Sequence, residues 1–426
     1  MSLEKSSDSR ASIALAFVGT IAPDDPRFHT AAFNPAGQMY QHELLVGLTR
    51  AGLVPSTILS VLPVPSRRHV KSGRCKSARL WIGRQKAETA QGLSIGFLPF
   101  INVTPLKQLG IGVGTVFSLV RWGWQNRRAK CRLVYCYNLS VPPGLFILLA
   151  AWLIRAKTLV SLCDIDIPGE TVPVGWFWKL DYWMQRRLIP HFDGHIVVAD
   201  AIAKDFLNGK PHLRLEGGVR KEVLERIDRN PPALVEDSGK QFVIVAAGHL
   251  SETNGLPVLL DAFSLLPGDR FRLRIAGSGP LEAQVRAAVA SDHRIEFLGL
   301  LSFERVLDLY ASASVLVNMR MTKTRNTKYF FPSKMMEYLA SGVPVISTST
   351  GHVEEEFGSF TYLLKEETPK ALSDLIRYVA DLDPEARRDT GARARAYMAA
   401  HKTWEAQTQR LAAFIRTTLL KLEPSA

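Results

Sequence analysis

Residues 329–344 read YFFPSKMMEYLASGVP, and this stretch decides the fold. Its pattern is a tight loop, one helix from Ser333, and a Gly-Val-Pro turn into an apolar strand at 345–347. Pro332 suits a first helical turn, where its missing N–H costs nothing. The free N–H groups of that turn, with Lys334 beside them, make a place for phosphate oxygens. Glu337, one turn further in, can accept hydrogen bonds from both hydroxyls of a ribose. A loop and helix carrying those groups suit a nucleoside-diphosphate ligand.

Working outward, apolar strands alternate with amphipathic helices, which predicts α/β architecture with parallel sheets covered by helices. A chain of 426 residues with 46% hydrophobic content has room for two such domains. In the first half we expect strands at 13–18, 57–61, 93–98, 133–137, 158–163 and 195–198, with helices at 39–51 and 143–155. RLEGGV at 214–219 closes that sheet. The polar, proline-bearing run 220–240 reads as a linker. In the second half we expect strands at 242–246, 271–275, 295–297, 315–317 and 343–347. Helices fall at 255–264, 280–290, 302–311, 333–340 and 369–382. The domains are placed at 1–220, joined by a C-terminal helix within 403–426, and at 241–402.

Charge is unevenly spread. Residues 44–163 hold 17 Lys and Arg against one acid, Glu88, a net +16 where the whole chain carries +13. Seven of the eight tryptophans precede residue 184, and RWGWQNRRAKCR at 121–132 places two of them among five cations. Basic and aromatic residues together suit an anionic membrane, a polyanionic substrate or nucleic acid; a solvated charged face over core tryptophans is the plainer reading. Nucleic acid is not expected, because no helix-turn-helix, zinc-finger or RNA-binding sheet motif occurs.

The four cysteines are scattered and form no CxxC pair, which reads as reduced thiols in a cytoplasmic protein. The apolar run near the start resembles a signal peptide but is read as a buried first strand. The uncharged run 133–154 is interrupted by Asn138, Ser140, Pro142 and Pro143, so it is read as a strand and a helix rather than a membrane span. His191 and His195 flank FDG and enter a strand, so they are not expected to share a metal, and no metal site is expected.

The decisive stretch resembles the donor-sugar signature of family 4 glycosyltransferases (glycosyl transferases group 1). The resembling subgroup carries N-x-R…TKY-x-FPSK-x-x-EY-x-ASG-x-PV. Asn318, Arg320, Thr327, Lys328, Tyr329, residues 331–334, Glu337, Tyr338 and residues 340–342 match it. The commoner form has a glutamate where this chain has Tyr329. The likeness runs over about 12–414 and implies the GT-B fold. In that fold two Rossmann-like domains face each other across a cleft, and a C-terminal helix packs back on the N-terminal domain.

The resemblance also implies roles. Glu337 holds the ribose, with Ser333, Lys328 and Lys334 near the diphosphate. The loop AAGHLSETNG at 246–255 includes Gly248. Relatives carry there an Arg and a Lys that stabilise the leaving diphosphate; here those positions hold His249 and Asn254, neither permanently charged. Arg320, Lys328 and Lys334 are expected to supply the charge instead. Gly277 and Gly279 of IAGSGP let backbone approach the donor, and IEFLGLL at 295–301 approaches the base. On the acceptor side, NPAGQ places Gly37 near the bond being made. Relatives have His-Asp where this chain has Cys163-Asp164; Asp164 or Asp166 is the candidate to contact the donor sugar or to act as base toward the acceptor hydroxyl.

The expected activity is transfer of a hexose from a nucleotide-diphosphate sugar to an acceptor hydroxyl, with retained configuration and no metal or other cofactor. The partners expected are the nucleotide sugar, a glycan or glycolipid acceptor in polysaccharide assembly, and the inner membrane face. The rivals are a sugar-nucleotide epimerase of the same fold, a catalytically inactive nucleotide-sugar-binding partner of a membrane assembly, and a nucleic-acid-binding protein.

Overall fold

The computed structural model describes residues 13–23, 25, 34–64, 80–89, 92–103, 105–138, 143–165, 167–229, 241–323 and 326–422. The chain divides into two compact units. The first comprises Met1–Val197, Ile202–Leu215 and Thr408–Ala426; the second comprises Val198–Ala201 and Glu216–Gln407.

The first unit contains β1 (Ile13–Gly19), β2 (Pro55–Ser60), β3 (Trp81–Ile82), β4 (Gln85–Glu88), β5 (Ser94–Phe97), β6 (Phe100–Ile101), β7 (Cys131–Tyr137), β8 (Lys157–Leu162), β9 (Gly194–Val197) and β10 (His212–Arg214). Eight of them form one sheet in the order β10-β9-β8-β7-β1-β2-β5-β4. It is parallel except where β4 turns back on β5. Five of the seven β7 residues are buried, as expected of a strand covered on both faces. Helices α1 (Pro35–Arg50), α2 (Leu106–Gln125), α3 (Pro143–Leu153), α4 (Trp176–Leu188) and α5 (Asp200–Phe206) connect the strands.

α1 begins four residues before the expected position 39. Asn34 accepts from the Gly37 amide and Pro35 occupies the first turn, a capping arrangement that starts a helix. Gly37 therefore lies in a helical turn, not in an open loop. Near the C-terminus, Thr408 packs against Gly47, while Leu419 and Phe414 pack against Gly194. Arg416 donates to the Ala51 carbonyl at 2.6 Å. The closing helix thus covers α1 and β9 of this unit.

The second unit opens with α6 (Lys221–Arg229) inside the run read as linker. Its polar composition hid Val223 and Ile227, which are buried one helical turn apart. Residues 230–240 lie outside the described residues. The sheet holds β11 (Phe242–His249), β12 (Phe271–Ser278), β13 (Ile295–Gly299), β14 (Val315–Asn318), β15 (Val345–Thr348) and β16 (Thr361–Leu364). All are parallel, in the order β13-β12-β11-β14-β15-β16. Helices α7 (Leu256–Ser264), α8 (Glu282–Ser291), α9 (Phe303–Ala311), α10 (Lys334–Ser341), α11 (Val353–Phe357), α12 (Pro369–Asp381) and α13 (Pro384–His401) complete the unit. The edge strand β16 and the helix α13 were not anticipated. β16 is four residues long without alternation, and α13 is largely polar.

In both sheets strand order reverses direction once. The chain steps from β1 to β2 and β5, then returns to β7 on the other side of β1. It likewise steps from β11 to β12 and β13, then returns to β14 on the other side of β11. Such reversal points leave a crevice beyond the carboxyl ends of the two central strands, where ligands bind in open α/β sheets.

Candidate functional site

The crevice in the second unit is a cavity of about 190 Å³. Its walls come from the end of β11 (Ala246 to Leu250), the end of β14 (Val317 to Arg320), Asn254, and Pro332 to Lys334. Of the residues singled out in the sequence, Gly248, His249, Asn254, Arg320, Ser333 and Lys334 line it.

Two cations are fixed there. Lys334 Nζ donates to the Ala247 carbonyl at 2.7 Å. The buried Tyr338 hydroxyl accepts from the Ala247 amide at 2.9 Å, fixing the same residue from its other side. Burial lowers the Lys334 pKa, and the nearby Glu337 carboxylate works against that. Arg320 Nη1 donates to Asn254 Oδ1 at 2.9 Å, and its guanidinium lies 4.2 Å from the Phe330 ring centroid. Asn254 Nδ2 donates in turn to the His249 carbonyl at 2.7 Å. The backbone of Arg320 is fixed by Thr348 Oγ1, which accepts from its amide and donates to its carbonyl. The Met335 and Met336 amides turn back on the Pro332 and Ser333 carbonyls. Two donors that the sequence offered to a phosphate are therefore already engaged.

Glu337 stands half-buried one turn along α10 and accepts no hydrogen bond from the described residues. Burial raises its pKa, opposed by Lys334 and Arg220. Arg220 was not picked out from the sequence; it lies just before α6, with its guanidinium 4.1 Å from the Phe303 ring centroid.

The remaining candidates lie elsewhere. A Cβ on Gly277 would sit 1.8 Å from the Gly248 carbonyl oxygen, and one on Gly279 would sit 2.4 Å from that of Leu250. These glycines let β11 and β12 close on each other and do not line the cavity. Lys328 is exposed, with Nζ 4.7 Å from the Tyr329 ring centroid. Gly37 and Asp164 come together in the first unit, in a cavity of about 280 Å³ that also holds Asn34, Lys107, Tyr137 and Asn138. It sits at that unit's own reversal point, beyond the ends of β1 and β7. Asn138 Nδ2 donates to Asp164 Oδ2 at 3.3 Å. Burial pushes the neighbouring Cys163 thiol up to about 12, so it is not a thiolate at neutral pH. Asp166 lies outside the described residues.

A buried charge cluster, unsignalled in the sequence, lies in the second unit. Lys402 Nζ is 3.1 Å from Glu216 Oε2 and 2.6 Å from Glu356 Oε1. His352 Nε2 approaches Glu216 Oε1 at 2.9 Å, and its ring stacks on Phe331 at 5.1 Å between centroids. Burial pushes the Glu216 pKa up, but His352 and Lys402 overcome it and hold it down to about 2. The ligand atoms of Glu216, His352 and Glu356 lie close enough to hold an ion, but the Lys402 ammonium already serves as their cation. His195 is likewise occupied, its Nε2 2.8 Å from the Ile189 carbonyl.

The fold is that of the GT-B glycosyltransferases. The protein aligns with sucrose-phosphate synthase of Thermosynechococcus elongatus at a TM-score of 0.64 and 14% identity, over 96% of this chain and 99% of that one. It aligns with HepE of Anabaena, solved with UDP and glucose, at 0.59 and 14%, over 94% and 98%. Residues 241–381 match the family model described as Glycosyl transferases group 1. That segment contains every residue lining the second-unit cavity, and Glu337. WcaL of Salmonella typhimurium, named as a colanic acid biosynthesis glycosyltransferase, is 27% identical over 190 residues, 43% of this chain and 47% of that protein. A GDP-mannose-dependent monoacylated alpha-(1-6)-phosphatidylinositol monomannoside mannosyltransferase of Corynebacterium glutamicum is 31% identical over 158 residues, 36% and 39%. The chain thus spans less than half the length of these curated relatives.

Proposed function

We propose that the protein is a glycosyltransferase that moves a hexose from a nucleotide-diphosphate sugar to an acceptor hydroxyl. The observation that carries this reading is the pair of fixed cations, Arg320 and Lys334, in a reversal-point cavity inside the segment matching Glycosyl transferases group 1. Departure of a nucleoside diphosphate builds negative charge, and preorganised cations in a partly buried site are the largest single source of its stabilisation. Glu337, which accepts no hydrogen bond from the described residues, suits the ribose hydroxyls.

We assign the donor to the second unit and the acceptor to the first, where Asp164 in the second cavity is the candidate base. Retained configuration and metal independence belong to the same proposal. The relatives' names, in colanic acid and phosphatidylinositol mannoside assembly, support a polysaccharide or glycolipid acceptor; its place at the inner membrane face is part of our proposal. His249 and Asn254, where relatives carry charge, favour a second reading: a partner that binds nucleotide sugar without turning it over.

A thermal-shift screen against UDP-, GDP- and ADP-sugars separates these readings, because a ligand bound to the native state alone raises the melting temperature. One donor should stabilise the protein and be consumed when a membrane lipid extract is supplied. Stabilisation without transfer would leave the inactive partner, and consumption with no acceptor present would point to the epimerase. No stabilisation by any of the three would sink the assignment.

A further inference from the structure

The chain steps in one direction from β7 through β8 to β9 and β10, and it reaches β7 from the far side of β1 in that same direction. Right-handed crossovers then place α2, α3 and α4 on one face of the first unit's sheet. α2 and α3 run in close contact, with Phe146 against Gly112 and Ile154 against Gly123.

The outer side of this layer is apolar. α3, PGLFILLAAWL, has no charged or polar side chain. Its inner residues Ile147, Ala150 and Ala151 are buried, while Leu145, Leu149, Leu153 and Trp152, the last 74% exposed, share the outer stripe. On α2 the exposed residues Leu106, Val113, Phe117 and Trp124 recur at helical spacing opposite the buried stripe of Ile111, Thr115 and Trp122. On α4, Trp176, Leu180 and Trp183 form a third line, with Trp176 78% exposed. A helix that is apolar all round belongs in a protein core or in lipid. None of the three is long and apolar enough to cross a bilayer.

The rim is cationic. Arg127, Arg128 and Lys130 follow α2, Arg155 follows α3, and α4 ends in Arg186 and Arg187. Arg127 lies 4.7 Å from the Trp124 ring centroid and Arg187 4.9 Å from that of Trp183. Asp181 is the one acid on the three helices, and it is already an acceptor for Gln185.

We propose that the outer face of α2, α3 and α4 docks on an anionic lipid bilayer, with the tryptophan and leucine stripes entering the headgroup boundary and the arginines on lipid phosphates. Apolar stripes bordered by cations are the composition of helices that lie in a membrane interface. A second copy would bring the same cationic rim against its own, so self-pairing is disfavoured by like charge. The surface deepens the membrane-acceptor part of the proposed function but stands on the first unit alone.

The test is co-sedimentation of the full chain with phosphatidylglycerol–phosphatidylcholine vesicles and with pure phosphatidylcholine vesicles, alongside tryptophan fluorescence. Binding should require phosphatidylglycerol, shift the emission to the blue and weaken with salt. Joint Phe117→Ser and Trp152→Ser substitution should reduce partitioning at least about tenfold. Arg127→Ser and Arg128→Ser should each cost about fivefold on anionic vesicles. No vesicle binding by the wild type, undiminished binding by the Phe117/Trp152 variant, or a stable dimer that this variant dissociates would overturn the proposal. All variants should keep the melting temperature and any nucleotide-sugar shift. Failure here therefore leaves the donor site standing, and failure of the donor screen leaves this surface standing.

Discussion

Arg320 Nη1 donates to Asn254 Oδ1 at 2.9 Å, so a permanent cation is held against the residue at which the family resemblance leads one to expect a lysine. Arg320 thus brings a cation beside the β11 loop from the end of β14, the other strand of the reversal point. Phe330 and Thr348 hold that arginine in place.

Arg320→Ala should therefore weaken nucleotide-sugar binding by at least about tenfold, because a hydrogen bond to a charged group contributes about 1.5–3 kcal/mol. Asn254→Ala should cost less, since the guanidinium remains. Titration calorimetry with the donor found in the screen measures both. Wild-type affinity in Arg320→Ala would remove it from the diphosphate site.

Glu337 makes a stability prediction with a definite sign. Burial raises its pKa, against the pull of Lys334 and Arg220. A carboxyl whose folded pKa exceeds the unfolded one favours folding in acid, and that contribution is lost as pH rises through the raised value. Glu337→Gln should thus melt higher than wild type at neutral pH, and the difference should close below a pH of about 4, the ordinary glutamate range. The same variant should lose the donor-induced shift. A variant that melts lower at pH 7, or keeps the shift, contradicts the assignment.

Lys402 neutralises Glu216 and Glu356 in a closed pocket, so Lys402→Ala leaves two buried carboxylates beside His352 and the neutral donors Gln407 and Tyr397. Removing one partner of a buried pair costs about 3–5 kcal/mol. Urea unfolding should show that loss, and Lys402→Met combined with Glu216→Gln should recover part of it. If the two substitutions cost independently, the cluster is not the coupled unit that the distances imply.

The glycines separate packing from binding. Gly277, at φ +136°, would press a methyl group into the Gly248 backbone, whereas a methyl on Gly248 meets the flexible end of Lys334 at 2.3 Å. Gly277→Ala should destabilise by about 2–4 kcal/mol, as backbone collision and strain add. Gly248→Ala, at φ +148°, carries strain too, but it should chiefly displace Lys334 and weaken donor binding. Melting curves with and without donor distinguish the two effects. Equal melting temperatures for both variants and wild type would contradict the glycine contacts.

Much of the architecture was legible because it rests on local periodicity. The apolar runs of β1, β7, β11 and β12 and the helices α7, α9, α10 and α12 announce themselves within a dozen residues. Ser333 and Lys334 could be picked from the residue types that a phosphate needs, whereas Gly248, Asn254 and Arg320 came from the family resemblance. What local reading missed was of two kinds. Elements with weak patterns were lost: α6 hid two buried positions in a polar run, and α1 began early on the strength of the Asn34 cap.

The other kind was long-range. That Arg320 reaches Asn254 across 66 positions and that Glu216 meets Lys402 across 186 are consequences of the tertiary fold. No window of sequence contains both partners. The sequence by itself determined which segments become strands and helices and which side chains are on offer. The reversal of strand order in each sheet decided which of them share a cavity. Packing then decided that Gly277 and Gly279 close a sheet, because burial and contact are properties of the folded whole.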